Sequence, residues 1–82
     1  MEAVQKSYDE IVDLFARGTT PAQILAFRPS QAARERVQYL LARHKADAGT
    51  AEEAAELERF WELEHLMRLI KARAHLYTEQ PV

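Results

Sequence analysis

The stretch AEEAAELERFWELEHLMRLIKARAHLY, residues 51–77, decides the fold of this 82-residue chain. It contains no glycine or proline and is rich in alanine, leucine, glutamate and arginine, which are strong helix formers. Thr50 and Glu53 form a capping-box pattern at its start, in which each side chain accepts a hydrogen bond from the other residue's backbone N–H. We therefore predict one helix over 51–77, about 40 Å long, which is longer than the diameter of roughly 30 Å of a compact chain of this size.

The apolar residues of this helix change side halfway along it. At about 100° per residue, Ala54, Leu57, Phe60 and Trp61 share one side, whereas the second half has an apolar arc about 180° wide on another side. Either the helix bends near 62–64, or it is straight and another subunit buries its second half. We favour the second arrangement, because apolar surface of this extent is rarely left open in a monomer.

We therefore predict a homodimer, or docking of a different protein, through the second half of the long helix. The residues assigned to this surface are Leu63, Leu66, Met67, Leu69, Ile70, Ala74 and Tyr77.

Charges are segregated along the chain, although the formal net charge is only −2. Residues 46–64 hold seven acids and one base, and residues 65–78 hold three bases and no acid. An antiparallel pair of long helices would place these acids near these bases, namely Glu52, Glu53, Glu56 and Glu58 near Arg68, Lys71 and Arg73. The same pattern also complements the dipole of a single helix, at about 0.3–1 kcal/mol per charge.

Three shorter helices are predicted upstream, over 7–17, 21–27 and 31–46. Ser7 with Glu10 fits a capping box, and Gly18 is a helix stop. Thr20 followed by proline is an N-cap with proline at the first helical position, and Ser30 caps the third helix. The predicted fold is thus all-α, with three short helices packed on one long C-terminal helix in a single domain over 1–82.

The middle of the chain is basic and resembles the outline of a helix-turn-helix, with a short helix, a tight turn and a longer helix. Residues of this region that would contact phosphates or base edges are Arg28, Arg34, Arg36, Gln38 and Arg43. The alternative is that these are ordinary surface residues of a helix hairpin, because arginine is a good helix former.

Several classes of function find no support in the sequence. The chain has no cysteine, which excludes disulfides and thiolate chemistry and fits a cytoplasmic protein. Glu62 and His65 have the Glu-x-x-His spacing of di-metal bundles, but both fall off the apolar seam of the helix and no second such motif exists. We therefore predict no catalytic residue, no metal, no cofactor and no membrane segment.

Most of the chain resembles a family of short, mostly uncharacterised bacterial proteins that are frequent in cyanobacteria. The segments that carry the resemblance are IVDLFARGTTPAQILAF (11–27), RPS (28–30), AEEAAEL (51–57) and EHLMRLIKARA (64–74). The segment GTTPAQIL (18–25) is also similar to the helix-turn-helix stretch of some small antitoxins.

This resemblance implies an antitoxin-like or accessory protein, because genes of that family often lie beside a gene for a small HNH-type nuclease. We therefore expect a non-enzymatic helical module that binds another protein and self-associates through its long helix. The alternative is a small helix-turn-helix DNA-binding regulator that uses the basic middle.

Overall fold

The computed structural model describes residues 6–78, in which the chain forms four α-helices and no strand. The helices are α1 (Asp9–Ala16), α2 (Pro21–Ala26), α3 (Gln31–Lys45) and α4 (Ala51–Thr78). The prediction of an all-α fold with one long C-terminal helix is confirmed. The helix ends lie within two residues of the predicted bounds.

Local capping signals determine where three of the helices begin. The Thr20 hydroxyl accepts a hydrogen bond from the backbone N–H of Gln23, whose side chain accepts one from the backbone N–H of Thr20 in return. Thr50 and Glu53 form the same reciprocal pair at the start of α4, with N···O distances of 3.0 and 3.1 Å. The Ser30 hydroxyl caps α3. These predicted caps are confirmed.

The capping box predicted for Ser7 and Glu10 is wrong. The N-cap of α1 is Tyr8, which makes no side-chain capping hydrogen bond. The backbone N–H of Ser7 instead donates to Glu56 Oε2 at 2.8 Å, and Glu10 Oε1 accepts from the backbone N–H of Ser30 at 2.9 Å. Both residues therefore connect α1 to distant parts of the chain instead of closing their own helix.

The buried residues of α4 occupy one side along its whole length. Glu56, Leu57, Phe60, Met67 and Ala74 are buried, and at about 100° per residue they fall within an arc of about 100°. The expectation that the two halves bury different sides is wrong, because two of the residues that define the first side are exposed. α4 is one continuous helix of 28 residues, so no bend near 62–64 is required.

Different short helices cover the two halves of this buried side. Ala54 and Trp61, which share the first apolar side by sequence, lie outside the buried side. α3 packs against the first half, where Leu40 and Leu57 line the same crevice. α1 and α2 cover the second half, and the apolar cluster there comprises Ile11, Leu14, Ile24, Met67 and Ala74.

A nearly buried ion pair joins α3 to α4. Arg36 donates from Nη2 to Glu56 Oε1 at 2.8 Å and from Nε to Oε2 at 3.1 Å. The Glu56 side chain is only 4% exposed, and it also accepts the hydrogen bond from the backbone N–H of Ser7. One carboxylate therefore connects α4, α3 and the segment that precedes α1.

The acids and bases predicted to pair between two long helices are partly engaged within one chain. Arg43 Nε donates to Glu53 Oε1 at 2.7 Å, and Glu56 pairs with Arg36. Lys71 Nζ donates to the carbonyl oxygen of Phe27 at 2.8 Å. An antiparallel pairing based on Glu53, Glu56 and Lys71 would have to break these bonds, so that form of the prediction does not fit the structure.

The link between α1 and α2 requires a glycine at position 18 but not at position 49. Gly18 has φ of +89°, in the left-handed region that favours glycine, and no atom lies within 4 Å of an added Cβ. In the turn between α3 and α4 the left-handed residue is Asp47, and a Cβ on Gly49 would make only ordinary contacts at 3.7–3.9 Å.

We expect Gly18→Ala to lower the free energy of unfolding by about 1 kcal/mol, because alanine disfavours this φ. Gly49→Ala is the matched control and should change that free energy by less than about 0.5 kcal/mol, or raise it slightly through the entropy of the unfolded chain. Urea unfolding of both variants measures the difference. Equal losses in the two variants would contradict the assigned turn geometry.

Glu56 makes the stability of the fold sensitive to acid. Burial alone would raise the pKa of Glu56, but the hydrogen bonds from Arg36 and Ser7 outweigh it and lower the pKa from 4.5 to about 2. The folded state therefore favours the carboxylate. Its stabilisation is complete above the unfolded pKa of 4.5 and is lost as the pH falls towards 2.

We expect Glu56→Gln to lower the free energy of unfolding at neutral pH by about 2–3 kcal/mol, because Arg36 loses its ionic partner in a mostly buried site. The loss should shrink as the pH falls from 4.5 towards 2. Urea unfolding at a series of pH values measures this, with Glu58→Gln, an exposed position on the same helix, as the control. A loss that stays constant over this pH range would contradict the role given to Glu56.

Candidate interaction surface

Large apolar side chains remain exposed on neighbouring sides of α1 and α4. Their exposed fractions are 46% for Val12, 40% for Phe15, 48% for Leu66, 57% for Leu69, 63% for Leu76 and 60% for Tyr77. Single exposed apolar residues are common on protein surfaces, but groups of them mark binding sites. The arrangement of these residues is therefore more informative than their number.

An apolar groove runs between α1 and α4. It has a volume of about 500 Å³ and is open to solvent along one side. The residues that line it, all without a charged or hydrogen-bonding side chain, are Ile11, Val12, Phe15, Ala16, Leu63, Leu66, Met67 and Ile70. A groove of this chemistry suits an apolar helix or another apolar group, and offers no polar group that would orient a reacting substrate.

One edge of this groove continues along α4 as a stripe with heptad spacing. We call this the open stripe; its members, separated by three or four residues in alternation, are Arg59, Glu62, Leu66, Leu69, Arg73 and Leu76. All six are exposed, and at about 100° per residue they lie within an arc of about 100°. This spacing is the pattern with which one helix packs lengthwise against another.

The residues predicted for self-association divide into three groups. Met67 and Ala74 are buried inside the chain, so they are not available to a second molecule. Leu63 and Ile70 are half-buried at the groove, whereas Leu66, Leu69 and Tyr77 are exposed. The sequence analysis did not separate these groups, because the side taken by α1 and α2 depends on tertiary packing.

The sequence analysis also missed parts of this surface. Val12 and Phe15 of α1 form the second wall of the groove, and neither is among the predicted interaction residues. Glu62 is weighed by sequence only as a metal ligand, whereas Arg73 is predicted to pair with acids of a second long helix. The sequence does contain a signal for Glu62 and Arg73, because both occupy positions in the heptad spacing of the open stripe.

All four arginines predicted to contact nucleic acid make hydrogen bonds within the chain. Arg28 donates to the carbonyl oxygens of Leu25 and Phe27, and Arg34 donates to that of Pro29 at 2.7 Å. Gln38 is exposed. These bonds hold the C-terminal end of α2 and the turn before α3, so they stabilise the fold.

The other two predicted arginines flank one aromatic ring. The guanidinium carbons of Arg36 and Arg43 lie 5.7 and 5.5 Å from the centre of the Tyr39 ring, which is within the range of a cation–π contact. Because Arg36 also binds Glu56 and Arg43 also binds Glu53, both guanidinium groups have carboxylate partners. Phosphate binding here would compete with these ion pairs.

Glu62, which the Glu-x-x-His spacing marks as a possible metal ligand, belongs to an ordinary surface ion pair. Glu62 Oε1 accepts from Arg59 Nη1 at 3.0 Å, an exposed pair one turn apart on α4. Between residues 6 and 78, no three histidine, aspartate or glutamate side chains lie close enough together to hold a metal ion. In the same range no helix is long and apolar enough to cross a membrane.

Comparisons with protein-family models, with curated proteins and with solved structures found no match to this chain.

Proposed function

We propose that this chain is a non-enzymatic, cytoplasmic helical protein-interaction module that binds through the apolar groove and the open stripe, and that it self-associates there. The observation that supports the proposal is that leucines at 48–63% exposure follow one side of a helix at heptad spacing. In this proposal the chain is an antitoxin-like or accessory partner of another protein. The resemblance to short bacterial proteins suggests a nuclease as that protein.

The distribution of polar groups supports binding over catalysis. The groove is lined by apolar side chains alone, so it lacks a nucleophile, an acid or a base that would act on a bound substrate. The buried Glu56 carboxylate accepts hydrogen bonds from Arg36 and from the backbone N–H of Ser7. These bonds stabilise the fold, so this carboxylate is not available as a catalytic group.

We expect the double substitution Leu66→Gln and Leu69→Gln to weaken self-association about 100-fold or more, because a dimer would lose the burial of four leucine side chains, at about 0.8 kcal/mol for each CH2 group that the dimer buries. Sedimentation equilibrium across a concentration series measures the dissociation constant. Both positions are exposed in the single chain, so helicity by circular dichroism should be unchanged.

The matched control is Trp61→Gln, which removes a larger apolar side chain that is also half-exposed on α4 but lies outside the open stripe. It should leave the dissociation constant within about threefold of the original value. A chain that stays monomeric at all concentrations tested would contradict self-association. An equal effect of Trp61→Gln would contradict the placement of the surface.

DNA binding is the second candidate, and one observation favours it: α2 and α3 follow each other in the chain, and Arg34 and Gln38 are exposed one turn apart on α3. We nevertheless rank it below protein binding. The neighbouring arginines are engaged in bonds within the chain, and the formal net charge of −2 opposes attraction to phosphates.

We expect the unmodified chain to show no salt-sensitive DNA retention at physiological ionic strength, because so few of its basic groups are free to neutralise phosphates. Fluorescence anisotropy with a pool of random duplexes measures this. Retention that is lost in the Arg34→Ala, Gln38→Ala variant and kept in Arg68→Ala would support the regulator instead. Arg36 is left unchanged in this test because it holds Glu56.

A further inference from the structure

The open stripe has the same spacing when it is read from either end. From Arg59 to Leu76 the steps are three, four, three, four and three residues. A second copy of the helix laid in the opposite direction therefore meets it residue for residue, with no insertion or bulge. This makes a second copy of the same chain a geometrically matched occupant of the surface.

We propose that the open stripe of α4 is covered by the open stripe of a second copy of this chain, laid antiparallel so that Leu66 of each copy packs against Leu69 of the other and Glu62 of each faces Arg73 of the other. This inference rests on the proposed function, in which the chain self-associates, and it adds the register of the antiparallel pair and the residues that face each other.

The charges at the ends of the leucine pair determine the direction. In the antiparallel pair each Glu62 faces an arginine, so two ion pairs flank the four central leucines. A parallel pair in register would instead set Arg59, Glu62 and Arg73 each against the same residue of the other copy, which opposes like charges in three layers. The arrangement of charges within the stripe thus favours the antiparallel direction.

The register follows from the same six residues. Moving the antiparallel pair by one heptad in either direction places Leu69 of one copy against an arginine of the other, either Arg59 or Arg73. The proposed register instead keeps leucine against leucine at the centre. At its ends the aliphatic part of the Arg59 side chain lies against Leu76, which leaves the guanidinium group in solvent.

The surroundings of the stripe are compatible with this pair. Arg73 is exposed and makes no ion pair within residues 6–78, and Glu62 makes only the exposed contact with Arg59. Val12 and Phe15 line the groove together with Leu66, so an incoming helix that covers Leu66 would also lie close to α1. The ion pairs within the fold, made by Glu53 and Glu56, stay intact in this arrangement.

The test is a charge-exchange cycle with the variants Glu62→Arg, Arg73→Glu and the double variant that carries both. Each single variant replaces two attractive pairs with two repulsive pairs, so each should weaken the dimer by about tenfold. The double variant restores attraction in both layers and should return to within about threefold of the original dissociation constant. Sedimentation equilibrium measures all four proteins, and circular dichroism checks that their helicity is equal.

Arg68→Glu is the matched control, because it reverses an exposed arginine of α4 outside the stripe and changes the net charge by the same amount as Arg73→Glu. It should leave the dissociation constant within about threefold of the original. Raising the salt concentration should reduce the differences among the four proteins, since screening weakens exposed charge pairs.

Two other results have distinct meanings. If the unmodified chain dimerises but the single variants bind as well as it does, or the double variant fails to recover, then the antiparallel register is wrong while self-association stands. If the unmodified chain is monomeric throughout, then the proposed self-association fails, and the register fails with it.

Discussion

The structure depends on the mismatch between one long helix and the short helices available to cover it. α4 has 28 residues, whereas α1 and α2 have eight and six. Together with the 15-residue α3, these helices bury one side of α4 and leave the side nearly opposite to it, which carries the open stripe, exposed. The chain is accordingly elongated, with a radius of gyration of 15.1 Å, against about 12 Å for a compact chain of the same length.

The covered side of α4 is defined by a polar contact as much as by apolar packing. Glu56 is buried at the centre of three segments, and its hydrogen bonds to Arg36 and Ser7 can form only if α4 turns this side towards α3. A buried carboxylate without such partners lowers the stability of the fold. Orientations of α4 that would bury more of Leu66 but leave Glu56 buried without its partners are therefore disfavoured. The same contact that orders the fold therefore leaves the leucine stripe open.

Local signals in the sequence were sufficient for the helices but not for their packing. Thr20, Ser30 and Thr50 cap their helices as expected, because a capping hydrogen bond joins residues three apart in the chain. The partner of Ser7 is 49 residues away, and no local pattern identifies it. Trp61 shares a side with Leu57 and Phe60 by sequence, yet it is half-exposed, whereas those two residues are buried.

The interaction surface could be predicted only in part, because its location also depends on packing between distant segments. The sequence gives the second half of α4 a wide apolar arc and predicts that another subunit covers it, and Leu66, Leu69 and Tyr77 are exposed. It did not indicate that Met67 and Ala74 belong to the core of the single chain. The buried residues and the open stripe both have helical spacing, and only the packing of α1 and α2 shows which residues are buried.

The distance between two copies of one labelled site tests the central claim most directly, namely that a second antiparallel copy covers the open stripe. Because the chain has no cysteine, Glu52→Cys provides a single site for a spin label near the exposed start of α4. Pulsed electron paramagnetic resonance should give an intermolecular distance of about 45–50 Å, set by the 1.5 Å rise per residue over the length of the pair. A distance of about 20 Å or less would indicate a parallel pair of helices about 10 Å apart, and the absence of any defined distance would indicate a monomer; either result would contradict the account.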